Sequence, residues 1–138
     1  MYNTNNIQSI LKWYDLNKRD LPWRNANDPY KTWLSEIMLQ QTQVQTVIPY
    51  FNKWIKQFPT LSSVANANLD QVLKSWEGLG YYRRCKNFHQ AAKIVIKDYN
   101  GMIPNDYETL KKLPGLGEYS SSAIMSIAFN EKYPAIDS

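Results

Sequence analysis

Two carboxylates and one glycine hairpin are the groups in this chain with the most chemical scope. Glu36 lies in Trp33-Leu34-Ser35-Glu36-Ile37-Met38-Leu39-Gln40-Gln41-Thr42, a stretch of helical period otherwise dominated by apolar residues. It reads either as a solvated glutamate on the outer flank of a helix or as a carboxyl at the edge of a pocket. In the second case desolvation raises its pKa, and it can hold a proton near neutrality. Asp137, after Pro134, is open in the same way, because an aspartate there also serves as a helix cap or turn residue. The run Leu113-Pro114-Gly115-Leu116-Gly117-Glu118-Tyr119 is more pointed. Pro114 closes one helix, two glycines let the backbone turn with its N–H groups unshielded, and Ser120, Ser121, Ser122 and Ala123 open the next helix. Such a turn is either an ordinary interhelical connection or an anion site at a helix N-terminus. On a chain with a net charge of +4, that anion is a DNA phosphate.

The elements that must position these groups are helical nearly throughout, with no convincing period-two alternation. Ile7, Ile10, Leu11 and Tyr14 mark a first helix, and Asp28-Pro29 is a cap followed by proline at the first helical position. Tyr30, Trp33, Leu34, Ile37, Met38 and Gln41 then follow one stripe. Thr42 is the expected cap of a helix carrying Val44, Val47, Tyr50, Phe51, Trp54 and Ile55, with Pro49 near its start or bending it and Phe58-Pro59-Thr60 at its end. Short helices follow near Leu61 to Ala65 and from Leu69 to Trp76, then Gly78-Leu79-Gly80, then a longer helix from Tyr81 to Tyr99. Asn105 or Asp106 caps a brief helix before the hairpin, and a last helix runs from about Tyr119 to Phe129. The reading is an all-α fold, an orthogonal array of short helices with short connections rather than an up-down bundle.

Composition fits a globular domain: 138 residues, 43% hydrophobic, 20% charged and 14% aromatic, with five Trp and ten Tyr. No apolar run approaches the roughly 20 residues of a membrane span. The polar start, Asn3-Thr4-Asn5-Asn6, lacks the order of a signal peptide, so a cytoplasmic, nucleoid-associated location is expected. One cysteine, Cys85, allows no internal disulfide and no site of several thiolates. The single histidine, His89, reads as a surface or half-buried residue rather than a ligand.

Leu21-Pro22-Trp23-Arg24, Asp28-Pro29-Tyr30-Lys31, the Glu36 stretch through Gln43-Val44, Trp76-Glu77-Gly78-Leu79-Gly80-Tyr81-Tyr82-Arg83-Arg84 and the hairpin occur in one order. Together they resemble the N-terminal catalytic region of adenine DNA glycosylases of the MutY type, within the helix-hairpin-helix base-excision superfamily. The resemblance runs from about Leu11 to Asp137 and implies half of a six-helix-barrel glycosylase fold. It implies that Glu36 is the general acid and base acting on the flipped adenine, and that Asp137 stabilises the positively charged sugar, with Tyr119 beside it. It places Gln41 in the duplex at the mismatch and Tyr81 as an aromatic wedge, with Arg24 and Leu39 lining the adenine pocket. It gives Gly115, Leu116 and Gly117 the phosphate contact. Arg83, Arg84 and Lys86 would lie close by and neutralise phosphates; without the resemblance they read as a solvated helix face.

The resemblance implies a double-stranded DNA partner holding adenine opposite 8-oxoguanine or guanine, and a monomeric protein. Where bifunctional relatives such as endonuclease III place a lysine nucleophile, this chain has Tyr119, so base removal without strand cleavage is expected. The family's 4Fe–4S cluster needs four cysteines that are absent here, so the chain is expected to bind no metal and no cofactor. On this reading the sequence is a fragment. Residues 1–20 form a helix that packs on a missing second subdomain, 21–134 the hairpin-bearing domain, and 135–138 a truncated junction carrying Asp137. A mismatch thymine glycosylase, a catalytically silent DNA-binding module and a helical protein–protein adaptor are the competing readings.

Overall fold

Side-chain caps start most of the helices, and they fix where the chain turns. In the computed structural model, which describes residues 21–23 and 28–129, Asp28 accepts a hydrogen bond from the Tyr30 amide at 2.9 Å and Pro29 takes the first helical position. Helix α1 is Pro29–Leu39, followed by α2 Val44–Gln57, α3 Leu61–Asn66 and α4 Leu69–Trp76. Then come α5 Arg83–Asp98, α6 Tyr107–Lys111 and α7 Glu118–Ala128. Thr60 and Ser63 cap α3 reciprocally, Asn68 and Gln71 do the same for α4, and Asp106 caps α6 through the Thr109 amide. No strand occurs among the described residues. The expected first helix, at Ile7 to Tyr14, lies outside them.

Three expectations about boundaries give way to tertiary structure. Thr42 does not cap α2: Gln43 is the cap residue and makes no side-chain bond, while the Thr42 hydroxyl donates to the Gln40 carbonyl at 3.4 Å and accepts from Arg84. Gln41 leaves the apolar stripe, because α1 ends at Leu39 and Gln41 turns out to solvent at φ 59°. Tyr81 is not helical. Gly80 and Tyr81 both have left-handed backbones, φ 76° and 49°, and no right-handed helix can begin until Arg83.

Aromatic side chains build the core. Trp33, Trp54, Trp76 and Phe88 are buried, with Trp33 edge-on to Phe88 at 4.9 Å and Trp54 edge-on to Trp76 at 5.9 Å. Burial of each large apolar side chain of this kind contributes about 1.5–3 kcal/mol. The Tyr30 hydroxyl receives the Trp54 indole N–H at 3.0 Å and donates to the Phe58 carbonyl, whereas the buried Trp33 indole N–H has no partner among the described residues. Helix α1 packs on α2 and α7, α5 packs on α3 and α4, and α6 on α7. Ser120, Ser121 and Ser122 are buried, and such small side chains let α7 approach α1 closely. His89, expected at the surface or half-buried, is more buried than that, and its Nε2 lies 2.8 Å from the Ala67 carbonyl between α5 and the end of α3.

Candidate active site and nucleic-acid interface

Glu36 stands in the third turn of α1, on the flank between the buried stripe and solvent. Burial pushes its carboxyl up to about 6 from an ordinary 4.5. Its charge is the main influence on Tyr119, raising that phenol above its ordinary value, so the two side chains share one electrostatic neighbourhood. The α1–α7 contact makes this possible, and Gln40 Nε2 pins it by donating to Ser120 Oγ at 3.1 Å. A half-buried carboxyl that keeps its proton close to neutral pH is suited to protonating a leaving group and then accepting a proton from water.

A cleft of about 280 Å³ is lined by Ile37, Gln40, Gln41, Tyr81, Arg83, Arg84, Asn87, Phe88, Pro114 and Gly115. Gln41 and Tyr81 flank it from two different loops, and Tyr81 is 61% exposed. Both are non-glycine residues at positive φ, 59° and 49°, a conformation that the surroundings must hold. Arg84 departs from the expected solvated, phosphate-facing row. Its Nη1 donates to the Ile37 carbonyl at 2.6 Å, the Met38 carbonyl at 3.2 Å and the Gln40 carbonyl, turning inward onto the end of α1. Arg83 and Lys86 remain exposed.

The hairpin closes the far side of the cleft. Gly115 has φ 81°, and a Cβ there would come within 2.9 Å of the Asn87 Cβ, so shape and backbone both call for glycine. Gly117 caps α7 with no side-chain bond and with open space where its Cβ would be. Leu116 differs from its neighbours: its side chain is buried, and its amide donates to the Leu113 carbonyl at 3.2 Å. The free edge of the turn therefore consists of the Gly117 amide and the first turn of α7, where Glu118 adds an exposed negative charge.

The structure thus gathers Glu36, Tyr119, Gln41, Tyr81 and the Gly115–Gly117 hairpin around the α1–α7 contact and one cleft, with Leu39 half-buried at the end of α1. Glu36 does not line the cleft, although its chain neighbour Ile37 does. Arg24 and Asp137 lie outside the described residues. Among the described residues no three His, Cys, Asp or Glu side chains gather to hold a metal ion. Cys85 is buried against the Val72 carbonyl, and burial pushes its thiol up to about 12. A lone, protonated thiol of this kind does not fit a 4Fe–4S cluster, and no chemistry is routed through one. Among the described residues no helix is long and apolar enough to cross a membrane. Sequence reasoning missed Ser120 as the partner of Gln40 and Arg84 as an inward-facing group. Neither has a local sequence signal, because their partners come from α1 and the loop that follows it.

The sequence model of the HhH-GPD superfamily base excision DNA repair proteins matches residues 34–137. The chain belongs to this family. Among HhH-GPD relatives, an adenine DNA glycosylase of Buchnera aphidicola (subsp. Baizongia pistaciae) is 50% identical over 124 residues, covering 89% of this chain and 35% of that protein. The adenine DNA glycosylase of Homo sapiens is 46% identical over 138 residues, 94% of this chain and 25% of that protein. The chain therefore spans between a quarter and about a third of these relatives. Among solved structures, a thermostable thymine-DNA glycosylase superposes with a TM-score of 0.80 at 28% identity, covering 96% of this chain and 62% of that one. An endonuclease III in a non-covalent DNA complex superposes at 0.76 with 20% identity, covering 99% and 65%, and shares the fold. The all-helical HhH-GPD architecture expected from the sequence is the one observed.

Proposed function

We propose that this chain carries the hairpin-bearing half of a monofunctional adenine DNA glycosylase, which removes adenine mispaired with 8-oxoguanine or guanine in double-stranded DNA. The observation that carries this reading is Glu36, a half-buried carboxyl with its pKa raised to about 6, set beside Tyr119 where α1 meets α7. In the proposed reaction the adenine is extruded, and Gln41 and Tyr81 fill the space it leaves, offsetting part of the few kcal/mol of lost stacking and pairing. Glu36 gives its proton to N7 of the base. The C1′–N9 bond breaks with its electron pair going to the base, and Asp137 lies under the positive sugar that results. Water then adds at C1′, and the Glu36 carboxylate takes the proton that water loses. Two carboxyls in opposite protonation states thereby serve one bond, by the logic of glycoside cleavage.

Arg24 and Leu39 line the adenine pocket in this account, and Gly115, Leu116 and Gly117 bring the hairpin to a phosphate through the main chain. With Leu116 N–H engaged internally, Gly117 and the α7 N-terminus carry most of that contact. Tyr119 has no amine to form an imine, so the product is an abasic site on an unbroken strand. We read residues 21–134 as the hairpin-bearing domain, 1–20 as belonging with a second subdomain and 135–138 as the junction holding Asp137. The protein acts as a monomer on nucleoid DNA in the cytoplasm.

The test is incubation with duplexes holding A:8-oxoguanine, A:G, T:G and A:T pairs, followed by alkali. The expected result is strand cleavage at the mispaired adenine, seen only after alkali. Cleavage at thymine would replace the specificity with that of the thymine-directed structural relative, and binding without any alkali-labile product would leave a DNA-binding module.

A further inference from the structure

Gln41 and Tyr81 sit on separate loops, after α1 and before α5, yet they flank the same cleft. Arg84 is the group that connects those loops. Besides the α1 carbonyls, its Nη2 reaches the Gly80 carbonyl at 3.3 Å and Thr42 Oγ1 at 3.4 Å, and its amide donates to the Tyr81 carbonyl at 3.0 Å. The guanidinium also lies over the Trp76 ring at 5.2 Å and the Tyr81 ring at 5.3 Å. Trp76 completes the assembly by donating its indole N–H to the same Gly80 carbonyl at 2.9 Å.

We propose that Arg84 is a positioning residue: it clamps the Gln41 loop to the Tyr81 loop and so sets how well the protein distinguishes a mispaired from a matched duplex. The proposal rests on the glycosylase reading for the roles of Gln41 and Tyr81, but the clamp itself rests on geometry. The bonds to the Ile37 and Met38 carbonyls place a cation at the negative end of α1. The 3.3 Å bond to the Gly80 carbonyl and the contact with the Tyr81 ring fall on the other loop, while Thr42 belongs to the Gln41 loop. A guanidinium used this way has few donors left for phosphate, whereas its exposed neighbour Arg83 has no such partners. Lysine could not replace it, since a single ammonium lacks the planar fork that spans two loops. Residues held at positive φ, as Gln41 and Tyr81 are, persist only where their surroundings determine them, and here the surroundings converge on one side chain.

The experiment compares Arg84→Lys, Arg84→Ala and Arg83→Ala in the full chain, measuring affinity for A:8-oxoguanine and matched duplexes across a salt series. Arg84→Lys should keep matched-duplex affinity and its salt slope while lowering the preference for the mispaired duplex by about tenfold, the effect of losing charge-assisted bonds. Arg83→Ala should weaken both duplexes equally and reduce the salt slope by about 0.9. Arg84→Lys with unchanged preference overturns the proposal, even if its melting temperature falls. So does equal loss on both duplexes with a shallower slope, which would make Arg84 a phosphate contact. Nitrogen-15 NMR of the unsubstituted chain covers the case in which the variants do not fold. The Arg84 Nη resonances should be separate and slow to exchange while those of Arg83 are averaged, and averaging at Arg84 too would overturn the clamp. If the unsubstituted chain shows no mispair preference, the glycosylase reading fails instead, and the NMR result still decides whether the clamp exists.

Discussion

Gln40 and Ser120 share a hydrogen bond of 3.1 Å that ties the end of α1 to the first turn of α7. Glu36 lies one turn before Gln40 and Tyr119 immediately before Ser120, so this bond holds the carboxyl and the phenol within each other's field. It also sets the Gln41 loop at a fixed distance from the hairpin. The placement of Glu36 beside Tyr119 therefore depends on a contact between helices far apart in sequence.

Replacing Glu36 by Gln removes the proton donor with little change of shape. Excision by the full-length protein should fall by about 10²–10⁴-fold, the usual contribution of a positioned general acid or base. Duplex affinity should stay within about threefold. Single-turnover excision measured beside fluorescence anisotropy separates the two quantities, and normal excision would remove Glu36 from the mechanism.

The raised pKa of Glu36 also makes a prediction about stability. The folded form holds this proton more tightly than the unfolded chain, so protonation stabilises the fold. That contribution is complete below about 4.5 and is lost as pH rises through about 6. The melting temperature of the unsubstituted chain, relative to Glu36→Gln, should fall across that interval. A constant difference would mean that the carboxyl is not desolvated. Excision by the acid form should decline above the same upper limit.

Gly115→Ala meets two obstacles at once, a φ of 81° and the Asn87 Cβ at 2.9 Å. A loss of about 1–3 kcal/mol in urea unfolding is expected, together with weaker binding to any duplex regardless of sequence. Unchanged stability would show that the hairpin can adopt another shape.

Gln41→Gly separates stability from function. Glycine relieves the left-handed backbone at φ 59° on an exposed residue, so the fold should be unchanged or stabilised by up to about 1 kcal/mol. If Gln41 enters the duplex as proposed, the preference for a mispaired duplex should decline in this variant. Tyr81→Ala should likewise lose preference while shifting stability by no more than about 0.5 kcal/mol, the range for exposed positions. Retained preference in both variants would contradict the wedge assignment.

Local chemistry is the part of this structure that the sequence makes legible. Asp28 before Pro29 and Asp106 announce their helices because a cap needs only a side chain and the next few amides. Thr42 looked like a cap by the same rule and is not one, since Arg84, distant in sequence, engages its hydroxyl. Tyr81 continues a helical pattern on paper, but two successive left-handed residues exclude it from α5. Glu36 was open between two readings because periodicity assigns a face, whereas its burial depends on which helix packs alongside. That helix is α7, and spacing along the chain does not reveal it. His89 was misplaced for a related reason: an imidazole can be buried whenever a free carbonyl, here Ala67, lies within reach.

The most direct test of the account is a crystal structure of the full-length protein on a duplex carrying a non-hydrolysable 2′-fluoro adenosine opposite 8-oxoguanine. The account predicts adenine outside the helix with N7 within hydrogen-bonding distance of the Glu36 carboxyl, and Gln41 and Tyr81 in the vacated stack. An adenine still paired within the duplex, or extruded to a surface remote from the α1–α7 contact, would contradict it.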